Sequence, residues 1–304
     1  MRLCALAPGK LNLCLFLGAT RPDGFHELVT LFQPVSLADE VELETLSGRG
    51  ADRVECFGVE GPNIAERALA ELRARGWDGP RVRIEIRKRI PVAAGMAGGS
   101  ADAAATLRLA AAAHPLSNDA LMAEIAVVLG ADVPSQLLPG PVLGSGVGEI
   151  LTSVPPRGPH AAVILPSPEQ LPTVAVYAEA DRLGLARSAA GLEDRRRTLE
   201  TALRLGPELP PGLLVNDLEP AARSLCPSID VALVRAREIG ADAALVCGSG
   251  PTVAGIFWGA EAPARARVAA AAAAGRVPAA ILVVPVDAGF AAVQDVDRRP
   301  RRAQ

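Results

Sequence analysis

Residues 81–90 alternate strictly between apolar (Val82, Ile84, Ile86) and polar (Arg83, Glu85, Arg87). That two-residue period predicts a half-buried strand. Residues 3–17 alternate more loosely and predict a strand interrupted at Pro8-Gly9, followed by a turn at Arg21-Pro22-Asp23-Gly24. Strands are expected again within 28–46, where Val41, Leu43 and Leu46 stand among acids. From residue 64 the spacing becomes helical: Asn63 can cap a helix over 64–75 that stops at Gly76. After a loop over 90–100, an Ala-rich helix runs to about 113 and a second spans 118–129, broken by Gly130-Ala131-Asp132-Val133-Pro134.

A Gly- and Pro-dense stretch over 139–159, with a short strand near 147–151, predicts a domain boundary at about 155. Beyond it come a buried strand (161–165), helices over 173–184 and 192–204, and another opening at Asn216-Asp217-Leu218-Glu219-Pro220. Then follow a strand–turn–strand over 243–257, a helix over 261–275 and a strand over 280–284. Strands and helices alternate in both halves, so the chain reads as an α+β or α/β protein. The expected domains are 1–155 and 156–290, with 291–304 a flexible tail whose arginines at 298–302 are solvated.

Composition narrows the functional classes. Half of the 304 residues are hydrophobic, but only six Phe, two Trp and one Tyr are present, so the core rests on Ala, Val, Leu and Ile. The net charge of −3 and the scarcity of aromatics argue against nucleic-acid binding. No apolar run has transmembrane length, and Lys10 and Asn12 interrupt the apolar stretch after Arg2, so neither a membrane span nor a signal peptide is expected. Five cysteines, an odd number without a CxxC pair, fit thiols in a reducing cytoplasm. His114 reads as a helix C-terminal cap and His160 as an exposed residue of the inter-domain stretch.

Lysine usage is selective: of 31 basic residues only Lys10 and Lys88 are lysines. Arg cannot imitate a compact ammonium, so Lys10, in an otherwise apolar stretch, is a candidate functional group. Lys88 lies between Arg87 and Arg89 and reads as an ordinary charge. The segment from Ile90 through Pro91, Val92, Ala93, Ala94, Gly95, Met96, Ala97, Gly98, Gly99, Ser100 and Ala101 runs from strand to small-residue loop to helix. Its N–H groups can approach an anion closely, and the helix N-terminus adds partial positive charge. A loop merely packed against a neighbour is the competing reading. The turn Gly248-Ser249-Gly250 can be a plain hairpin or can cover phosphates from the second half. Asp132 can be a surface turn residue or a general base. There is no GxxxxGK[ST] motif, protein-kinase motif set or GxGxxG fingerprint.

Together, residues 8–13, 90–105 and 247–257 resemble, in order, the three motifs of the GHMP kinases. Arg21 to Leu28, Thr30-Leu31-Phe32, Gly98 to Ala104, Gly130 to Pro134, Gly146 to Glu149 and Asn216 to Pro220 resemble the branch whose acceptor is a cytidine-diphosphate-linked methylerythritol. The resemblance spans roughly residues 5–285. It implies a two-domain fold, with an N-terminal domain like ribosomal protein S5 domain 2 and a ferredoxin-like C-terminal domain. It implies transfer of phosphate from ATP, with Mg²⁺, to the 2-hydroxyl of that small molecule, a step of the non-mevalonate route to isoprenoids.

By the same resemblance Asp132 is the base and Lys10 orients the hydroxyl. The glycine loop and Ser100 hold the triphosphate and metal, Asn63 and Ile64 lie on the adenine side, and Phe25 and His26 lie on the cytidine side. Tyr177 closes over that ring or is a core aromatic. Asn12 contacts substrate or Lys10, and Gly248, Ser249 and Gly250 contact substrate. A monomer or homodimer is expected. Other members of the family (homoserine or mevalonate kinases, a decarboxylase, a silent binder) remain alternatives. Ala94 and Ala97 stand where glycines are common, Met96 where Leu is, Ala101 replaces a second Ser, and Ser135 stands where Phe is usual. An alanine forced to positive φ would cost about 1 kcal/mol or more.

Overall fold

Two long antiparallel strands, β1 (Arg2–Thr20) and β2 (His26–Leu46), form the frame on which both halves are built. The computed structural model describes residues 1–297 apart from 60, 117, 119, 139 and 274–277. The N-terminal half continues with β3 (Arg53–Phe57), α1 (Ile64–Ala74), β4 (Arg81–Arg87), α2 (Gly98–Ala113), α3 (Leu121–Leu129), α4 (Val133–Leu137), β5 (Val142–Ser145) and β6 (Ile150–Ser153). The C-terminal half contains β7 (His160–Leu165), α5 (Thr173–Leu183), α6 (Ala189–Leu205), α7 (Glu219–Leu225), α8 (Ser228–Glu238), β8 (Ala243–Val246), β9 (Val253–Trp258), α9 (Ala262–Ala272) and β10 (Ile281–Val283), and is followed by β11 (Gln294–Asp295).

The first sheet has the order β11-β1-β2-β4-β3, with β5 paired to β2 and β6 to β5. Only β3 and β4 run parallel, and α1 makes their crossover. The alternation predicted over residues 81–90 is realised in β4, whose Val82, Ile84 and Ile86 are fully buried under Leu72 and Leu107. Each such side chain contributes about 1.5–3 kcal/mol. Helix α2 buries Ala103, Ala104, Ala105 and Ala110 completely. These small side chains let it lie close to the sheet, which is how an aromatic-poor chain fills this core.

The second sheet, order β10-β7-β9-β8, is wholly antiparallel, and buried residues of α5, α8 and α9 share its core. This is the ferredoxin-like order, with the fourth strand beside the first. The halves are stitched through β1 and β2: Leu15 N–H donates to Val215 O (2.8 Å), Asp217 N–H to Leu15 O (2.9 Å), and Ser36 N–H to Val284 O (2.8 Å). Phe16 and Leu31 from the first sheet share a core with Ile164 and Ile256 from the second and Leu199 of α6.

Several expectations are corrected. Pro8-Gly9 does not interrupt β1; pairing with β2 shifts register between Pro8 and Lys10, a bulge that suits a residue lacking an N–H. The strand expected near 147–151 is a hairpin of β5 and β6 around a turn. Residues 291–297, expected in a flexible tail, include β11, which pairs Asp295 with Leu3 and Gln294 with Cys4. Residues 298–304 lie outside the described residues, as do 119, 274 and 275 of the helices expected over 118–129 and 261–275. His160 is buried in β7, not exposed. Strand β3 and helix α8 were not anticipated.

Candidate active site

The β1 bulge turns Lys10 and Asn12, two positions apart and hence on one face, into a cleft of about 780 Å³ between the two halves. Lys10 is buried. Its Nζ donates to Asn12 Oδ1 (2.7 Å) and Gly95 O (3.2 Å), and stands 3.8 Å from Asp132 Oδ2 and 5.5 Å from the centre of the Phe32 ring. Asn12 is held by donation to Thr30 Oγ1 (2.7 Å), which donates to Cys14 O (2.7 Å). The ammonium thus stands on a chain of buried hydrogen bonds, which restricts its movement.

Asp132 occupies the position before α4, yet its side chain makes no capping hydrogen bond. Its carboxylate is instead partly exposed on the cleft wall. Pro134 in the first turn of α4 sets the backbone there.

Residues 90–98 form the predicted strand–loop–helix. Three of them have positive φ: Ala93 (55°), Gly95 (72°) and Ala97 (56°). The sequence placed possible strain at Ala94 and Ala97; it falls on Ala93 and Ala97. Ala97 precedes α2 and provides no side-chain cap, leaving the first turn of a 16-residue helix facing the cleft through Gly98, Gly99 and Ser100. That is the arrangement an anion requires. The loop is pinned to β1 by Lys10 N–H donating to Met96 O (3.0 Å).

The turn at Gly248-Ser249-Gly250 closes over the loop from the other half. Asn216 Nδ2 donates to Val246 O (2.8 Å) and Gly248 O (2.7 Å), while Asp217 accepts Leu17 N–H (2.9 Å) and two bonds from Arg187. The Asn216-Asp217 motif therefore holds the turn and ties it to β1. Thr173 Oγ1 at the start of α5 lies 3.0 Å from Ser249 Oγ. Burial pushes the Cys247 thiol up to about 12, against the opposing pull of Lys10, so it stays protonated.

At the opposite end, His26 Nε2 lies 2.7 Å from Asp181 Oδ1 and 3.1 Å from Thr20 Oγ1, and its ring is 5.0 Å from Tyr177 at a 44° tilt. Burial, reinforced by the charge of Asp132, raises the Tyr177 hydroxyl to about 12. Phe25 is exposed at the cleft mouth. Asn63 and Ile64 line the wall beside the loop, where Asn63 Oδ1 accepts Ala65 N–H (2.8 Å) and caps α1.

The structure therefore brings Lys10, Asn12, Phe25, His26, Asn63, Ile64, Pro91, residues 93–100, Asp132, Tyr177, Gly248 and Ser249 onto one cleft. Two expected residues do not reach it. Ala101 is packed in the core, and Gly250 points a potential Cβ at Val246. Lys88 corrects the reading of it as an ordinary charge: it is half-buried beside the loop and paired with Asp39 and Asp102. Asp181 and Thr173 had no sequence signal of their own, because each acts through a partner distant in the chain; the rarity of lysine was the one signal for Lys88. Burial lifts the Asp102 carboxyl to about 7, with Lys88 pulling it down and Asp39 pushing it up.

Residues 63–140 match the GHMP kinases N terminal domain family and residues 192–276 the GHMP kinases C terminal family. A Corynebacterium efficiens protein named 4-diphosphocytidyl-2-C-methyl-D-erythritol kinase is 41% identical over 271 residues, covering 84% of each chain. A crystal structure of 4-(cytidine 5'-diphospho)-2C-methyl-D-erythritol kinase is 34% identical, superposes with a TM-score of 0.72, and covers 93% of this chain and 99% of that one. Mevalonate pyrophosphate decarboxylase from Streptococcus pyogenes shares the fold at 10% identity, with a TM-score of 0.69 over 94% of this chain and 97% of its own.

Proposed function

The chain belongs to the GHMP kinases, and from that membership we propose that it transfers the γ-phosphoryl group of ATP to the 2-hydroxyl of 4-diphosphocytidyl-2-C-methyl-D-erythritol, a step toward isoprenoid precursors. The observation that carries this reading is the convergence of Lys10, 3.8 Å from Asp132, with a small-residue loop at a helix N-terminus in one cleft. Identity of about 40% to kinases of that name favours the kinase over the decarboxylase and silent-binder alternatives.

Phosphoryl transfer asks mainly for positioning and charge stabilisation. Asp132 accepts the proton of the attacking hydroxyl. Lys10, fixed by Asn12 and Gly95, orients that oxygen and offsets the charge that develops on it. Backbone N–H groups of residues 95–100 receive the triphosphate, and Gly248 and Ser249 cover it from the second half. Asn63 and Ile64 border the adenine, while Phe25, His26 and Tyr177 border the cytosine.

A Mg²⁺ ion fits the donors present. The Ser100 hydroxyl at the first turn of α2 would be one oxygen ligand, and this cation takes few protein ligands when phosphates supply the rest. When bound it would neutralise phosphate charge. Among the described residues no helix is long and apolar enough to cross a membrane, and we place the enzyme in the cytoplasm.

The test is ADP release by purified protein with ATP, Mg²⁺ and the cytidyl substrate, beside homoserine and mevalonate. Turnover with the cytidyl substrate alone is expected. Turnover with another acceptor would discard the cytidine side while keeping the family. CO₂ release from a diphosphomevalonate substrate would move the chain to the decarboxylases.

A further inference from the structure

Three charged side chains that meet between the two ends of the phosphate loop have no role in the proposed chemistry. Asp39 on β2 is completely buried, and its Oδ1 accepts the backbone N–H groups of Arg89 (2.5 Å) and Ile90 (2.8 Å). Its Oδ2 pairs with Lys88 Nζ, which also donates to Asp102 Oδ2 (2.7 Å). Asp102 stands near the start of α2, just after the loop. Entry to the loop at 88–90 and exit from it at 98–102 are therefore tied to one point on β2.

Between these ties the chain holds two alanines in the left-handed region, a conformation that persists only where the surroundings over-determine it. The tie is also tightly fitted. A Cβ on Gly98 would lie 3.2 Å from Lys88 Nζ and 3.2 Å from the Ile90 side chain, so glycine there leaves room for the ammonium. Two buried carboxylates without that ammonium would face each other uncompensated. A loop that must present several N–H groups to a phosphate gains most from such anchoring, because donors already aimed need no reorganisation on binding.

We propose that Asp39, Lys88 and Asp102 form a clamp that fixes both ends of the loop and so pre-aims its N–H groups at a triphosphate. The proposal rests on the reading of residues 91–100 as the phosphate loop. Asp39 is a positioning residue: it does not line the cleft and acts only through the loop. Lys88 and Asp102 do border the cleft, but two of the three ammonium protons of Lys88 go to the carboxylates, which is what ties the loop ends.

Inorganic tripolyphosphate with Mg²⁺ separates loop positioning from contact with base or sugar, because it carries neither. Its binding and that of ATP are measured on the full chain and on Asp39→Asn, Lys88→Met, Lys88→Arg and Asp102→Asn, with thermal unfolding and both KM values. Asp39→Asn and Lys88→Met are expected to weaken tripolyphosphate and ATP alike, by about 10- to 100-fold. They should raise KM for ATP equally and leave KM for the alcohol substrate within about threefold.

Lys88→Arg should restore part of the loss, and Asp102→Asn, which keeps an acceptor for Lys88, should bind nearly as the parent does. Unchanged tripolyphosphate binding in folded Asp39→Asn would overturn the clamp. A loss confined to ATP in Lys88→Met would overturn it too, by making Lys88 a base contact. If Lys88→Met does not fold, the comparison of Asp39→Asn with Lys88→Arg carries the test. Should the chain bind tripolyphosphate through the clamp yet not phosphorylate the cytidyl substrate, the acceptor assignment would fall and the clamp would stand.

Discussion

Gly95 and Cys247, from opposite halves of the molecule, approach so closely that a methyl group on Gly95 would lie 1.8 Å from the Cys247 carbonyl oxygen. Gly95 also has φ of 72° and gives its own carbonyl to Lys10 Nζ. One residue thus needs the absence of a side chain for conformation and for packing between the halves, while its carbonyl helps to place the ammonium. Gly95→Ala must push the phosphate loop away from the 247–250 turn. We expect kcat/KM to fall by about 100-fold or more, since displacement of about 1 Å has that effect, and stability to drop by about 2 kcal/mol. Steady-state kinetics and urea unfolding of the same preparation check both.

Asp132→Asn keeps the shape of the residue and removes its capacity to take a proton. The side chain caps nothing, so the substitution should leave α4 and the fold undisturbed. Turnover should fall by about 10²–10⁴-fold, the usual contribution of a general base, while ATP affinity stays within about threefold. Near-parental kcat in a folded variant would remove Asp132 from the chemistry.

Ala97 sits at φ 56° without making a side-chain cap. Glycine adopts that conformation without the Cβ clash, so Ala97→Gly should stabilise the protein by about 1 kcal/mol, offset in part by greater freedom of the unfolded chain. The corresponding rise in melting temperature, about 2–4 °C, is measurable by calorimetry. Ala97→Val should shift it the other way, because a β-branched residue is less tolerant of positive φ.

Local signals in the sequence had direct structural counterparts. The strict period of residues 81–90 became β4, Asn63 capped α1, and small residues before an Ala-rich segment became a loop and helix N-terminus. What the sequence did not disclose depends on distant partners. Lys88 looked ordinary between two arginines because its carboxylates come from residues 39 and 102. His160 looked exposed beside Pro and Gly because nothing local shows that β9 packs Trp258 against it. Strain fell on Ala93 instead of Ala94 because φ is set by the path of the whole loop between its two ties. Asn216 was legible as a motif but not as the support of a turn thirty residues further on.

The burial of His160 has a consequence for acid stability. Its Nδ1 lies 2.8 Å from Gly158 O, its ring is 4.5 Å from that of Trp258, and its Nε2 has no hydrogen-bond partner. Burial, with the nearby Arg157 charge, lowers its pKa below the usual histidine value despite the Gly158 carbonyl. The unfolded chain therefore takes up this proton first as pH falls. Stability contributed by the neutral ring is full above about 6.5 and is lost as pH drops toward the lower folded value, with a slope of at most about 1.4 kcal/mol per pH unit. His160→Phe keeps the ring contact and should flatten this part of the curve. Urea midpoints measured from pH 7.5 to 5 for both proteins decide it, and an unchanged slope would assign the acid sensitivity elsewhere.

Asp181 provides the corresponding test at the far end of the cleft. His26 Nε2 lies 2.7 Å from Asp181 Oδ1, and donation from Nε2 to that carboxylate would leave Nδ1 facing away from it as an acceptor. Cytosine presents an exocyclic amino donor, whereas uracil presents a carbonyl oxygen at the same place, so a ring held in this tautomer can distinguish the two bases. Asp181→Asn weakens the hold, because an amide can turn either its oxygen or its nitrogen toward Nε2. We expect KM for the cytidyl substrate to rise by about tenfold, kcat and KM for ATP to stay within about threefold, and preference over the uridyl analogue to shrink. Asp181→Ala should show the same direction with a larger loss. If both variants keep the full preference for cytidine, the selection is made by other groups, with Phe25 and Tyr177 as the next residues to vary.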